Sequence, residues 1–173
     1  MTAIDTARLH LRPPRSDDAA ALAALMTEDV SSWMASWPHP CSEDMARQRI
    51  ADAEAAMREG RGAFCVMTQR DGTVMGWLGI LLSRETPRTG SLTYWLGNAF
   101  HRRGYIGEAL PPFLQAATAA LRLDRLEAGA QPDNAASIAV LRRIGMTFVE
   151  ERMDFVPARN REEPTAFYAL SCS

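Results

Sequence analysis

Residues 101–110 read His101-Arg102-Arg103-Gly104-Tyr105-Ile106-Gly107-Glu108-Ala109-Leu110. Upstream, Ser91 to Leu96 is strand-like. Downstream, apolar residues recur at Leu110, Phe113, Leu114, Ala117 and Leu121, the spacing of one helical face. The stretch is therefore a strand-to-helix turn. Its two glycines let the backbone bend sharply and come close to a ligand, and free N–H groups at a helix start favour an anion. Arg102 and Arg103 stand at the mouth of the turn, where a phosphate or pyrophosphate would need them. An exposed connection with solvated arginines uses the same residues, so the turn by itself leaves both readings open. A Rossmann start is disfavoured, because Gly-x-x-Gly is not Gly-x-Gly-x-x-Gly and hairpin strands precede it. Pro111-Pro112 falls inside the helical pattern, which predicts a kink or a helix that begins late.

Further upstream the period is that of strands. Ala63 to Thr68 and Thr73 to Leu82 are joined by Asp71-Gly72, a hairpin-turn signal, and Pro87 and Gly90 lead into Ser91 to Leu96. Arg8 to Arg12 alternates, with Leu9 and Leu11 on one face, and Pro13-Pro14 ends it. Ser16, Asp17 and Asp18 cap a helix over Ala19 to Met26. Ser42, Glu43 and Asp44 open a second that runs to about Glu59 and stops at Gly60 and Gly62. Between these helices a Ser/Pro-rich segment, Val30 to Pro40, carries Trp33 and Trp37.

Beyond the turn's helix come a short strand, Arg125 to Ala130, and a helix, Ala135 to Ile144, closed by Gly145. Two strands follow, Thr147 to Met153 and Thr165 to Ser171, with Asp154 to Pro164 polar and loop-like between them. The expected fold is a mixed α/β (α+β) domain over residues 1–173, a central sheet of six to seven strands with four helices around it.

Composition narrows the chemistry. All 19 residues counted as Lys plus Arg are arginine. A Schiff-base lysine, a Walker P-loop lysine and a kinase strand lysine are thereby excluded, and any phosphate held by a cationic side chain is held by arginine. A formal net charge of -2 gives no basic field of the kind that gathers nucleic acid. The longest apolar run, Val74 to Leu82, is far short of a membrane span, and Met1 to Arg15 is too polar for a signal peptide. Cys41, Cys65 and Cys172 are odd in number and lack metal spacing, as expected of unpaired thiols in a reducing cytoplasm.

A second cluster follows the turn by about thirty residues: Pro132-Asp133-Asn134-Ala135-Ala136-Ser137, then Leu141-Arg142-Arg143-Ile144-Gly145-Met146. Taken alone, Asn134 reads as a helix N-cap and Ser137 as a first-turn residue. Together with Arg8-Leu9-His10-Leu11-Arg12-Pro13, Leu92-Thr93-Tyr94-Trp95-Leu96 and the turn at 102–110, the cluster resembles the GNAT superfamily of acyl-CoA-dependent N-acetyltransferases. It is most similar to the branch of ribosomal-protein N-terminal acetyltransferases, and the resemblance spans nearly the whole chain.

The resemblance implies a mostly antiparallel twisted sheet with one parallel pair, Ser91 to Leu96 and Arg125 to Ala130, that splays apart around the pantetheine arm of acetyl-CoA. Backbone groups of Trp95 and Leu96 would pair with the pantetheine and the thioester carbonyl. N–H groups from Arg103 to Glu108, through Gly104, Tyr105, Ile106 and Gly107, would hold the pyrophosphate, with Arg102 beside them. Asn134 would bond the pantetheine arm, and the Ser137 hydroxyl would protonate the departing thiolate. Trp33 and Trp37 would meet the amine acceptor. The implied reaction is direct attack of a neutral amine on the acetyl group, without a metal or a covalent intermediate. The implied partner is a protein N-terminus or a small-molecule amine, and the enzyme would be a monomer or homodimer. An amino-acid, polyamine or aminoglycoside acetyltransferase and a non-catalytic acyl-CoA sensor are the alternatives.

The chain departs from the family pattern at His101, where the turn usually opens with Gln or Arg, at Ile106, where a small residue is usual, and at Pro111-Pro112. It also carries Ser91 where many relatives in the branch have a candidate catalytic Glu. An α-amino group titrates near pH 8 and a lysine side chain near 10.4, so a site without that Glu is expected to favour α-amines. Glu28, His39 and Asp154 are the remaining candidate bases.

Overall fold

The computed structural model describes residues 2–172. Its single sheet has eight strands: β1 (Ile4–Asp5), β2 (Leu9–Arg12), β3 (Gly62–Gln69), β4 (Val74–Leu82), β5 (Thr89–Leu96), β6 (Arg125–Ala130), β7 (Thr147–Val156) and β8 (Arg161–Ser171). They lie in the order β1-β2-β3-β4-β5-β6-β8-β7, and among the described residues β5 and β6 are the only parallel neighbours. Five helices complete the fold: α1 (Ala19–Leu25), α2 (Glu28–Ser31), α3 (Glu43–Arg58), α4 (Tyr105–Leu121) and α5 (Ala135–Arg143). Among the described residues, no helix is long and apolar enough to cross a membrane.

The sheet is covered on both faces, and β3 shows why its sequence hardly alternates. Ala63, Cys65 and Met67 pack into one core, and Phe64 and Val66 into the other. A strand buried on both sides reads as a continuous apolar run. The first core joins Leu9, Leu11, Leu78 and Ile80 to Leu110, Phe113 and Ala117 of α4 and Leu141 of α5. The second joins Trp77 and Trp95 to Leu22 of α1 and Ile50 of α3. The edge of this core is pinned by a largely buried ion pair in which Arg12 meets both carboxylate oxygens of Asp18, at 2.6 and 2.8 Å.

Several boundaries differ from the sequence expectation. β1 and α2 were not expected; each is too short to show a period, although Thr27 caps α2 by accepting from the Val30 N–H. The segment from Asp154 to Pro164 is not a loop. β7 and β8 pair as far as Val156 and Arg161 and turn over residues 157–160. The outer reach of that hairpin leaves most of β7 and the start of β8 in solvent, which erases the alternation a half-buried strand would show. α4 is also unbroken from Tyr105 to Leu121 and does not begin late. Its prolines sit in the second turn, where they leave the carbonyls of Gly107 and Glu108 without their i+4 donors.

Candidate active site

β5 and β6 are hydrogen-bonded neighbours only where they start. Thr89, Gly90 and Ser91 pair with Arg125, Leu126 and Glu127, and the register ends there. Leu92 to Leu96 and Ala128 to Ala130 then diverge and become opposite walls of a cleft of about 750 Å³. β5 leaves β6 because it stays on β4, pairing down its whole length from Leu82↔Gly90 to Gly76↔Leu96. Gly76 makes that possible: a Cβ there would lie 2.1 Å from the Trp95 carbonyl oxygen.

The direction of the backbone groups follows from the register. The Gly97 N–H donates to the Met75 carbonyl, and alternate residues of an antiparallel strand face the same neighbour. Trp95 therefore spends its N–H and C=O on β4 and cannot offer them to a ligand in the gap, contrary to the sequence expectation. Tyr94 and Leu96 face the gap instead. The Leu96 carbonyl accepts from His101 Nε2 at 2.9 Å, which fixes the protonated nitrogen of that imidazole. The Leu96 N–H remains as the donor facing the gap. His101, the departure at the head of the turn, thus braces the end of β5.

The turn itself gathers unclaimed backbone donors at the start of α4. Gly104 is the N-cap of α4 with φ 77°, a left-handed conformation that glycine adopts without strain, and Arg102 takes φ 59° beside it. The Glu108 N–H donates to the Gly104 carbonyl at 3.1 Å and closes the first helical turn. Among the described residues, the N–H groups of Gly104, Tyr105, Ile106 and Gly107 find no acceptor in the chain. The run of unclaimed amides therefore ends at Gly107 and excludes Glu108.

The Glu108 side chain points elsewhere. It accepts from Thr6 Oγ1 at 2.6 Å, from the Arg8 N–H at 2.8 Å and from Arg8 Nε at 2.6 Å. Those hydrogen bonds and the charge of Arg8 hold its carboxyl below the usual range, against the opposing effect of burial. Arg8 also reaches the Arg103 carbonyl at 3.0 Å and lies over the Tyr105 ring, 4.5 Å from its centroid. The N-terminal segment is in this way clamped to the turn.

Of the two arginines assigned to phosphate, Arg102 lines the cleft and Arg103 does not. Arg143, at the end of α5, lines it instead, and its Nη1 lies 3.8 Å from where a Cβ on Gly107 would be. The signal for Arg143 was present in the second cluster. What hid it is that contact across the cleft depends on how α5 lies against α4.

Asn134 and Ser137 both line the cleft. Asn134 does cap α5, its Oδ1 accepting from the Ser137 N–H at 3.0 Å, and this leaves the amide nitrogen free to serve a ligand. Ser137 Oγ lies 2.8 Å from Tyr94 Oη. Burial pushes the Tyr94 hydroxyl up to about 12, only partly offset by that hydrogen bond.

At the other end of the cleft stand Trp33 and Asp154. Trp33 is 45% exposed and free to meet an acceptor. Trp37 is not: it is 3% exposed and packs edge-on against Trp77 and Trp95, so its side chain is core. Of the candidate bases only Asp154 lines the cleft; Glu28 lies outside it on α2, and His39 bonds the Met26 carbonyl at 3.0 Å. Ser91 lies at the closed end of the gap, where β5 and β6 part.

A sheet split at one parallel pair, with an amide cradle at a helix start beside the split, is the architecture of an acyltransferase. The family model described as acetyltransferase (GNAT) domain matches residues 8–147, and the chain belongs to that family. A curated relative, the uncharacterized N-acetyltransferase p20 of Bacillus licheniformis, is 26% identical over 165 residues, covering 93% of this chain and 91% of that protein. Among solved structures, the ribosomal-protein-S5-alanine acetyltransferase of Vibrio fischeri superposes with a TM-score of 0.85 at 16% identity, covering 99% of this chain and 97% of that one. Mycobacterium smegmatis RimJ, solved with CoA-disulfide, gives 0.83 at 22% identity, covering 98% of this chain and 87% of that one. These two likenesses are of fold.

Proposed function

We propose that the chain transfers an acetyl group from acetyl-CoA to a primary amine by direct attack, with a protein or peptide N-terminal α-amine the preferred acceptor. The observation that carries this reading is the β5/β6 gap, with four unclaimed amide N–H groups at one end and the Ser137 hydroxyl along its wall. The names of the Vibrio fischeri and Mycobacterium smegmatis neighbours, and Ser91 in place of a carboxylate base, support the choice of acceptor.

Acetyl-CoA supplies the activated acyl group. The amides of Gly104 to Gly107, with Arg102 and Arg143, hold its pyrophosphate, and Asn134 Nδ2 bonds the pantetheine arm. The Leu96 N–H donates to the thioester carbonyl as negative charge develops there. Asp154 takes the proton that the amine loses, directly or through water, and Ser137 gives one to the sulfur. Trp33 packs against the acceptor.

A thiol-release assay with acetyl-CoA and matched α-amine and ε-amine peptides tests the proposal. The α-amine peptide is expected to react faster at pH 7, and a preference for the ε-amine overturns the acceptor assignment. Turnover only with small amines would move the activity to that class, and binding without turnover on any amine would make the protein a sensor.

Two substitutions sharpen the residue roles. Arg143→Ala is expected to weaken CoA binding about fivefold, in a salt-dependent way, whereas Arg103→Ala leaves it within about twofold; titration calorimetry at two salt concentrations reads both. Asp154→Asn is expected to lower kcat/KM for the α-amine peptide about tenfold at pH 7 and much less at pH 9, where the amine is already neutral without help. A loss that stays constant across that range would remove Asp154 from proton transfer.

A further inference from the structure

Tyr94 projects from the wall of the gap opposite α5, and its hydroxyl meets two atoms of Ser137: Oγ at 2.8 Å and the backbone carbonyl at 3.3 Å. A tyrosine hydroxyl has one proton to give. The carbonyl contact is the longer, and that carbonyl lies within α5, where the helix supplies its own donor. A carbonyl can take a second donor, and either hydroxyl can donate in the shorter bond; the arrangement that leaves Ser137 a proton for a ligand is the one in which Tyr94 donates to Oγ. Ser137 is then an acceptor toward Tyr94, and its own proton is left free to turn into the cleft.

We infer that Tyr94 is a positioning residue that sets the proton of Ser137 toward the sulfur of the acyl donor; this rests on the proposed acetyltransferase reading. The C–S bond breaks with its electron pair going to sulfur, and the Ser137 proton moves onto that sulfur. The Tyr94 O–H gives its proton to Oγ as the Ser137 proton leaves, because a phenol is a stronger acid than an aliphatic hydroxyl, and solvent restores the proton of Tyr94. Tyr94 suits this role because burial keeps that proton in place at rest, with its hydroxyl pushed up to about 12. It acts on the reaction only through Ser137.

The test is a double-substitution cycle on the full chain, read by steady-state thiol release with acetyl-CoA and an α-amine peptide. Ser137→Ala is expected to lower kcat about a hundredfold, the lower end for a lost general acid. Tyr94→Phe is expected to lower kcat about tenfold, the rate equivalent of one hydrogen bond, with KM for acetyl-CoA within about twofold. In the Ser137→Ala background, Tyr94→Phe is expected to cost nothing further. Losses that multiply, or a Tyr94→Phe loss confined to KM or to the melting temperature, overturn the inference.

One more variant reads the same bond. Ser137→Thr keeps an oxygen acceptor and is expected to retain kcat within about threefold, and to lose about tenfold more on Tyr94→Phe as the unsubstituted protein does. A Ser137→Thr protein that Tyr94→Phe leaves unchanged overturns the inference as well. Absence of turnover in the unsubstituted protein with any amine is a separate result, and it overturns the acetyltransferase reading itself.

Discussion

Gly76→Ala is expected to lower the melting temperature by about 10 °C and to abolish tight acetyl-CoA binding in whatever protein still folds. The added Cβ would lie 2.1 Å from the Trp95 carbonyl oxygen and 2.9 Å from the Leu96 Cα, and both are backbone atoms. No rotamer relieves such a contact. Either β4 and β5 separate, losing the ladder at Trp77↔Trp95 and Gly76↔Leu96, or β5 moves as a unit. The first outcome costs several kcal/mol, in the range reserved for overpacked cores and broken backbone networks. The second moves β5 toward β6, into the space the pantetheine arm needs.

Gly79→Ala is the matched control. There the nearest atoms belong to the Phe64 ring, at 2.5 Å, and a side chain can turn away. A smaller loss of stability with CoA affinity retained is expected. Differential scanning fluorimetry with and without CoA reads both variants. A Gly76→Ala protein that melts with wild-type and still gains stability from CoA would mean that the close approach of β5 to β4 is not what opens the gap.

The gap shows which parts of the fold sequence reasoning reaches. The strands and helices of the middle of the chain were legible because each carries its own period or its own cap: Asp71-Gly72 between two apolar runs, Ser42 before Glu43 and Asp44, Asn134 before α5. The turn at 101–110 was legible as a strand-to-helix turn for the same local reason. What local pattern cannot reach is pairing between side chains distant in sequence. Arg143 enters the cleft because of how α5 lies against the start of α4, and Arg103, in the turn before α4, does not line it. Tyr94 meets Ser137 across 43 residues. Trp37 became core by packing on Trp77 and Trp95, although a tryptophan in a Ser/Pro-rich segment has the same composition as one that waits for a substrate. The direction of Trp95's backbone groups required the register, and register is a property of two strands.

Glu163→Gln is expected to destabilise the protein by about 3 kcal/mol at neutral pH and to raise KM for the amine while leaving CoA binding intact. The carboxylate is buried, and Arg159 grips it through Nε at 2.8 Å and Nη2 at 2.7 Å. Arg161 adds a third bond at 2.7 Å and Gln131 a fourth at 3.1 Å. Through Nη1, Arg159 also donates to the carbonyls of Ser31 and Met34, so one carboxylate fastens the β7–β8 hairpin to the segment that carries Trp33. Neutralising it leaves the Arg159 charge half-buried without its counterion, and both walls of the acceptor end loosen together. The hydrogen bonds from Arg159, then those from Arg161, lower the carboxyl from 4.5 to about 2, against the opposing effect of burial. A lowered folded value gives stability that is present in full above the unfolded value and is lost as pH falls through the folded one. The difference between wild-type and Glu163→Gln is therefore expected to be constant from pH 6 to 8 and to close progressively below about 4.5, toward 2. Urea unfolding at a series of pH values measures it. Coincident midpoints at pH 7, or a gap that persists unchanged at pH 2.5, would show that the carboxylate does not carry the hairpin.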